Sequence, residues 1–221
     1  MRGTFREKLT GIPASLPIST QEKMSRHFAG IADCYEGLPE DVVTIAPKDL
    51  AWIPGVVKSR SYRKALEIGC AYGGSSEVLA ESLKQADPRG HLVICDPVQS
   101  TVWKSAGTSR LRAKGLANFT LLELVSELAL PMLLSEHAAL DLVFVDGFHS
   151  YGQVAMELYY IDRLLVIGGT VVLDDYHWDF PGVTLAVDTF LTKGCSGNYR
   201  FEDHGRLVEL QKTSATVYRE N

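Results

Sequence analysis

Lys64-Ala65-Leu66-Glu67-Ile68-Gly69-Cys70-Ala71-Tyr72-Gly73-Gly74-Ser75-Ser76 joins a short apolar run to a glycine loop, and a helical period follows. The run has the length of a strand. The glycines let the backbone turn tightly and approach a ligand, and the next helix offers free N–H groups at its start. Read as a dinucleotide fingerprint, Gly69, Ala71 and Gly74 give G-x-A-x-x-G, with a methyl where backbone must meet pyrophosphate, so Ala71 counts against NAD. Read as an acid followed by two glycines four apart, Glu67-x-Gly69-x-x-x-Gly73, the match is complete.

Working outward, β-branched runs alternate with helical periods, which means an α/β fold with a parallel sheet. Strands are expected at Lys64 to Gly69, His91 to Asp96, Phe119 to Leu122, Leu142 to Asp146 and Thr170 to Asp174. Their nearly continuous apolar character fits strands buried on both faces. Ser75 to Ala86 reads as an amphipathic helix that stops at Asp87-Pro88-Arg89-Gly90. Ser150 to Val166 reads as a second helix, opened by the Ser-x-x-Gln form of a capping box and closed by Gly168-Gly169. Pro181 sits where a first helical residue would, before a stripe of Val183, Ala186, Val187, Phe190 and Leu191. Tyr199 to Glu202 and Leu207 to Leu210, about a turn at Asp203-His204-Gly205, predict a terminal antiparallel hairpin. The expectation is a Rossmann-like, doubly wound, mostly parallel sheet of seven strands.

Residues 1–60 differ in kind, because five prolines interrupt short helical patches. They read as an N-terminal helical cap or arm whose Phe28, Trp52 and Ile53 pack on the main domain or on a second subunit; residues 61–221 form that domain. With 22 Lys and Arg against 27 Asp and Glu in 221 residues, the net charge is −5, and no basic block marks a nucleic-acid or anionic-membrane partner. No apolar run reaches the roughly 18 to 20 residues of a membrane span, and the N-terminus lacks a signal-peptide core. A soluble, cytoplasmic protein acting on small molecules is expected. The four cysteines, Cys34, Cys70, Cys95 and Cys195, show no CxxC spacing and read as reduced apolar fillers.

Asp96, Asp146 and Asp174 end the second, fourth and fifth strands, and Asp175 follows directly. Ligands of open α/β sheets bind outside the carboxyl ends of the strands, so these acids share one edge with the glycine loop. With that loop and Asp96 together, the chain over about residues 60–210 resembles the class I S-adenosylmethionine (SAM)-dependent methyltransferases. The resemblance implies that Glu67, Gly69, Ala71, Tyr72, Gly73 and Ser75 surround the methionine part of SAM, with Asp146 also at the cofactor. It implies that Asp96 accepts hydrogen bonds from the ribose hydroxyls, and that Ser126 and Glu127 lie by the adenine.

Val145-Asp146-Gly147-Phe148-His149-Ser150-Tyr151 and Leu173-Asp174-Asp175-Tyr176, with Leu185-Ala186-Val187-Asp188-Thr189-Phe190 beyond, narrow the likeness to metal-dependent small-molecule O-methyltransferases. The macrocin and aminocoumarin sugar enzymes are more similar there than the catechol and caffeoyl-coenzyme A ones. Asp146, Asp174 and Asp175 are then the metal carboxylates, and an all-oxygen set suits Mg²⁺. Neighbouring strand residues point to opposite faces, so Asp174 and Asp175 can share one ion only if the chain leaves extended geometry there.

His149, at the position of the catechol enzymes' catalytic lysine, is the candidate base. A role in holding the loop or the cofactor carboxylate stands beside that reading, and Phe148 replaces an Asp frequent in the sugar enzymes. His177 and Trp178 are expected to line the acceptor pocket, with His177 as the alternative base. The expected reaction is Mg²⁺-dependent O-methylation of a small hydroxylated molecule, a sugar or other vicinal diol of a natural product. A catechol-type phenol methyltransferase, an NAD enzyme and a catalytically idle cofactor-binding subunit remain as alternatives. The resemblance is compatible with a homo-oligomer, which the composition does not demonstrate.

Overall fold

The computed structural model describes residues 40–177, 180–195 and 197–216. Three short helices, α1 (Glu40–Val43), α2 (Pro47–Leu50) and α3 (Ile53–Ser59), lead into β1 (Lys64–Ile68) and α4 (Gly74–Ala86). Then come β2 (His91–Cys95), α5 (Ala106–Ala113), β3 (Phe119–Leu122), α6 (Ser126–Ser135), β4 (Leu140–Val145) and α7 (Tyr151–Leu164). The chain continues through β5 (Leu165–Leu173), α8 (Pro181–Thr189), a π-turn at Phe190–Gly194, β6 (Tyr199–His204) and β7 (Leu207–Lys212).

The seven strands form one sheet in the order β3-β2-β1-β4-β5-β7-β6. The first five are parallel, and β7 runs antiparallel between β5 and β6. Strand parity divides the core between the two faces. Leu66, Val93, Val143 and Val145 pack toward α6, α7 and α8, while Ala65, Leu92, Ile94, Leu142 and Phe144 pack toward α3, α4 and α5. Ile45, Leu50, Ile53 and Val57 join the second layer, each burial stabilising by about 1.5–3 kcal/mol. Ile53 therefore packs on the main sheet, and the Trp52 ring stacks on His204 with centroids 4.0 Å apart. Phe28 and Cys34 lie outside the described residues; Cys70, Cys95 and Cys195 are buried.

Ser150 caps α7 as expected, its side chain accepting from the backbone N–H of Gln153 at 3.3 Å. The reciprocal half of the box is absent, because the Gln153 side chain reaches Ser126 and Glu157 instead. The helix also stops earlier than the glycines indicate. Leu165 and Val166 already belong to β5, and Gly168, at φ +88°, lies inside that strand. The β4–β5 register slips between Leu140 and Leu142, so the glycines mark an irregular strand edge rather than a helix end. Helices α5 and α6 carried no clear apolar stripe in the sequence: α5 is polar and α6 contains Pro131. Among the described residues, no helix is long and apolar enough to cross a membrane.

Candidate active site

The parallel ladder runs one bond past the strands, and those bonds place the acids. The Asp96 N–H donates to Leu122 O (3.1 Å), Asp146 N–H to Ile68 O (2.8 Å) and Asp174 N–H to Val145 O (3.0 Å). The sheet order reverses between β1 and β4, and the glycine loop and Asp146 meet there. Gly69 sits at φ +87°, where an added Cβ would lie 1.9 Å from the carbonyl oxygen of Asp146. Only glycine allows the two loops to cross at that distance.

Asp96 holds the glycine loop from below. Its Oδ2 accepts from the backbone N–H groups of Cys70 (3.2 Å) and Ala71 (3.0 Å) and from Gln99 Nε2 (3.2 Å), while Oδ1 accepts from Val98 N–H (3.0 Å). Burial raises its pKa against those four donors. A carboxylate offers about four lone-pair sites, so Oδ1 retains room for the ribose bond expected of it. Gln99, fully buried, ties the same loop down: its Nε2 donates to Ala71 O (3.0 Å) and its Oε1 accepts from Gly107 N–H (3.0 Å). Tyr72 packs against Trp103 with ring centroids 5.3 Å apart.

Glu67 and Ser75 face each other rather than the loop's open side. Glu67 shares the strand parity of Ala65, under α4, where Ser75 Oγ (2.6 Å) and Ser76 Oγ donate to its carboxylate. Complete burial pushes the Glu67 pKa up to about 8 despite those bonds. Both residues thus support the loop through this buried hydrogen bond. Near the expected adenine position, Ser126 Oγ donates to Glu157 Oε1 (2.6 Å) and Gln153 Nε2 donates to Ser126 Oγ (2.6 Å). Glu157 Oε2 is buried without a hydrogen-bond partner, an acceptor that a donor-bearing cofactor would satisfy. Glu127 is exposed beside them.

The acidic edge is arranged differently from expectation. Asp175 adopts φ +60°, so the chain does leave extended geometry after β5. His149 Nε2 lies 3.0 Å from Asp175 Oδ2 and 3.5 Å from Asp146 Oδ1. One donor atom from each of these three residues falls within 4.8 Å of the others, so two carboxylates and an imidazole form a set that one divalent cation fits. The oxygens suit Mg²⁺, while the nitrogen brings the set closer to transition metals. Asp174 stands apart: Arg206 Nε and Nη2 bond its two oxygens at 2.7 and 2.6 Å, and the same Nη2 lies 3.2 Å from Asp175 Oδ1. Of the three carboxylates expected to share a metal, Asp146 and Asp175 converge on His149, whereas Asp174 is held by a guanidinium.

Burial opposes charge on His149, but the carboxylates of Asp146, Asp175 and Asp174 outweigh it and raise the imidazole pKa. Burial, with Asp174 and Asp175 nearby, raises that of Asp146 against the bond from His149. Phe180 stacks on the His149 ring at 4.3 Å, and Phe148 next to it is exposed. Tyr176 OH donates to Asp188 Oδ1 (3.0 Å), joining the Asp-Asp-Tyr stretch to α8. His177 is exposed, with its ring against Tyr176 at 4.0 Å. Trp178 lies outside the described residues.

Gln99, Gln153, Glu157 and Arg206 were missed by the sequence reading. Glu157 left a signal, a charged residue at a core position between Val154 and Ile161; Gln153 stood in the capping box, which pointed to a helix start rather than to Ser126, and Gln99 and Arg206 sit in turns with no motif.

No curated protein sequence matches the chain. Among solved structures, it resembles the O-methyltransferase TomG from Streptomyces achromogenes, involved in tomaymycin synthesis and solved with SAM, at 22% identity, TM-score 0.63, covering 93% of this chain and 94% of that one. An O-methyltransferase from Bacillus cereus in complex with SAH gives 15% identity, TM-score 0.64 and coverage of 93% and 96%. The SAH-bound methyltransferase PaMTH1 from Podospora anserina gives 18%, 0.64, and 92% and 100%. At these identities the likeness is one of fold, and it agrees with the glycine loop and strand order above. Residues 66–176, which span β1 to the Asp174-Asp175-Tyr176 stretch and make up half the chain, match the family model described as a methyltransferase domain, and the chain belongs to that family, with the fold of class I SAM-dependent methyltransferases.

Proposed function

We propose that this protein uses SAM to methylate a hydroxyl of a small molecule, with a sugar or other vicinal diol as acceptor and a divalent cation, Mg²⁺, held by Asp146 and Asp175. The observation that carries the reading is the convergence of Asp146, His149 and Asp175 where the glycine loop crosses the end of β4. SAM supplies a methyl group on a sulfonium, already activated for in-line displacement. The cation, when bound, orients two acceptor oxygens and favours loss of the hydroxyl proton.

The chain's own work is alignment and proton removal. The loop from Gly69 to Gly73, pinned by Asp96 and Gln99, fixes the cofactor side of the site. Fixed geometry replaces a diffusional encounter, and well-oriented groups gain roughly 7–11 kcal/mol that way. His149 takes the acceptor proton at Nε2, with Asp146 and Asp175 placed to stabilise the resulting imidazolium. A phenolic acceptor is the second reading, favoured by the exposed Phe148 and Phe180 rings beside His149. The three SAM- or SAH-bound structures that the fold resembles support the cofactor assignment.

The test is calorimetric titration of the purified protein with SAM and with NAD, each with and without Mg²⁺, followed by a methyl-transfer screen over vicinal diols and catechols. SAM binding with Mg²⁺-dependent methylation of a diol is expected. NAD binding with no response to SAM overturns the reading.

A further inference from the structure

Arg206 comes from the turn between β6 and β7, after Gly205 at φ +86°, and its carbonyl accepts the N–H of Tyr176 at 3.0 Å. The turn is thus stitched to the residue following the acid pair. From there the guanidinium meets Asp174 with two nitrogens and Asp175 with one. The side chains of Asp174 and Asp175 are 0% and 2% exposed, while that of Arg206 is 27% exposed. Adjacent buried carboxylates repel each other unless a cation sits between them, and the planar guanidinium fork fits a carboxylate edge-on.

A divalent ion held by Asp146 and Asp175 would share Asp175 with that guanidinium. The two cations repel, and the burial of the Asp174 and Asp175 carboxylates between them weakens the screening of that repulsion. We propose that Arg206 is a tethered counter-cation of the acidic cluster, which holds Asp174 and Asp175 in position when no metal is bound and competes with the divalent cation for them. Arg206 thereby sets how tightly the site holds its metal, and Asp174 becomes a metal ligand only when the guanidinium withdraws toward solvent. This inference rests on the metal reading above.

The experiment measures Mn²⁺ binding to the full chain by electron paramagnetic resonance, without cofactor, for wild type and Arg206→Met. Removing the positive charge is expected to tighten Mn²⁺ binding by about tenfold or more. The variant should also melt at a lower temperature without metal and gain more from added Mn²⁺ than wild type does. Unchanged or weaker binding in Arg206→Met, with wild type binding Mn²⁺, overturns the role of Arg206 and leaves the metal reading intact. Absence of Mn²⁺ binding in both overturns the two together. Should Arg206→Met not fold, Asp174→Asn and Asp174→Asn/Arg206→Gln are compared: the double variant is expected to bind Mn²⁺ more tightly than the single one, and equal affinities overturn the inference.

Discussion

Asp174 and Asp175 are neighbours in the chain that share Arg206 unequally: Asp174 takes both arms of the guanidinium, while Asp175, turned to φ +60°, meets one nitrogen and brings its Oδ2 to 3.0 Å from His149 Nε2. The turn of one residue separates a structural ion pair from a chemical group. Both carboxylates are buried, so the difference lies in what each faces rather than in exposure.

Amide substitutions should therefore separate the two. Asp175→Asn keeps a side chain that tolerates the left-handed backbone, so the fold should hold. Methyl transfer should nevertheless fall by about 10²-fold or more, because the acid beside His149 has lost its charge. Asp174→Asn instead leaves the guanidinium with half its buried pairing, at a stability cost of about 3 kcal/mol, with a smaller fall in turnover. Urea denaturation and a methyl-transfer assay on both variants check this; the opposite ranking on both axes would remove the division of roles.

Gln99 is the keystone of the cofactor loop. Gln99→Leu keeps the volume but leaves Ala71 O and Gly107 N–H buried without partners, which costs about 2–4 kcal/mol. Affinity for SAM should drop by about tenfold as the loop loosens, with Mn²⁺ affinity at Asp146 and Asp175 unchanged. Paired calorimetric titrations decide it, and equal loss of both affinities would point to general unfolding rather than to the loop.

The sheet was legible because the parallel strands are apolar runs, four of which lead into glycine or aspartate, so β1 to β5 and the edge carrying the acids could be placed from residues alone. The hairpin was legible from its turn. What escaped detection was contact between parts far apart in sequence. Nothing local shows that Arg206 reaches Asp174 across 32 positions, or that Gln99 closes on Ala71 across 28. Glu67 escaped for another reason: a motif names residues by family, whereas strand parity turns this one under α4 toward Ser75 and Ser76. The β5 start was misread because a helix end and an irregular strand edge share the same Gly-Gly signal.

His149→Gln tests the base. Glutamine preserves a polar group near Asp146 and Asp175 but cannot take a proton, so kcat should fall by about 10²–10⁴-fold with SAM affinity nearly intact. The neighbouring carboxylates raise the His149 pKa, so wild-type rates should climb as pH rises through the value at which the imidazole gives up its proton. The variant should lose that limb of the profile. A pH–rate curve of unchanged shape in His149→Gln would assign the proton to another group.

Glu67 makes a prediction about stability alone. In the unfolded chain it titrates at about 4.3, whereas burial under α4 lifts it to about 8 in the folded protein. Below the lower value both states carry the proton and the shift has no effect. Between the two values the folded state must keep a proton that the unfolded state has released, so stability declines as pH rises, and above the upper value the full penalty of a few kcal/mol is present. Glu67→Gln cannot titrate, and Ser75 and Ser76 can still bond its amide because a hydroxyl rotates to donate or accept. Cofactor-free Glu67→Gln should therefore lose less stability than wild type between about pH 5 and pH 9, becoming the more stable of the two at the alkaline end. Urea midpoints at the two pH values measure it. Parallel declines in the two proteins would mean that Glu67 is ionised in the fold, with Ser75 and Ser76 sufficient to hold a buried carboxylate.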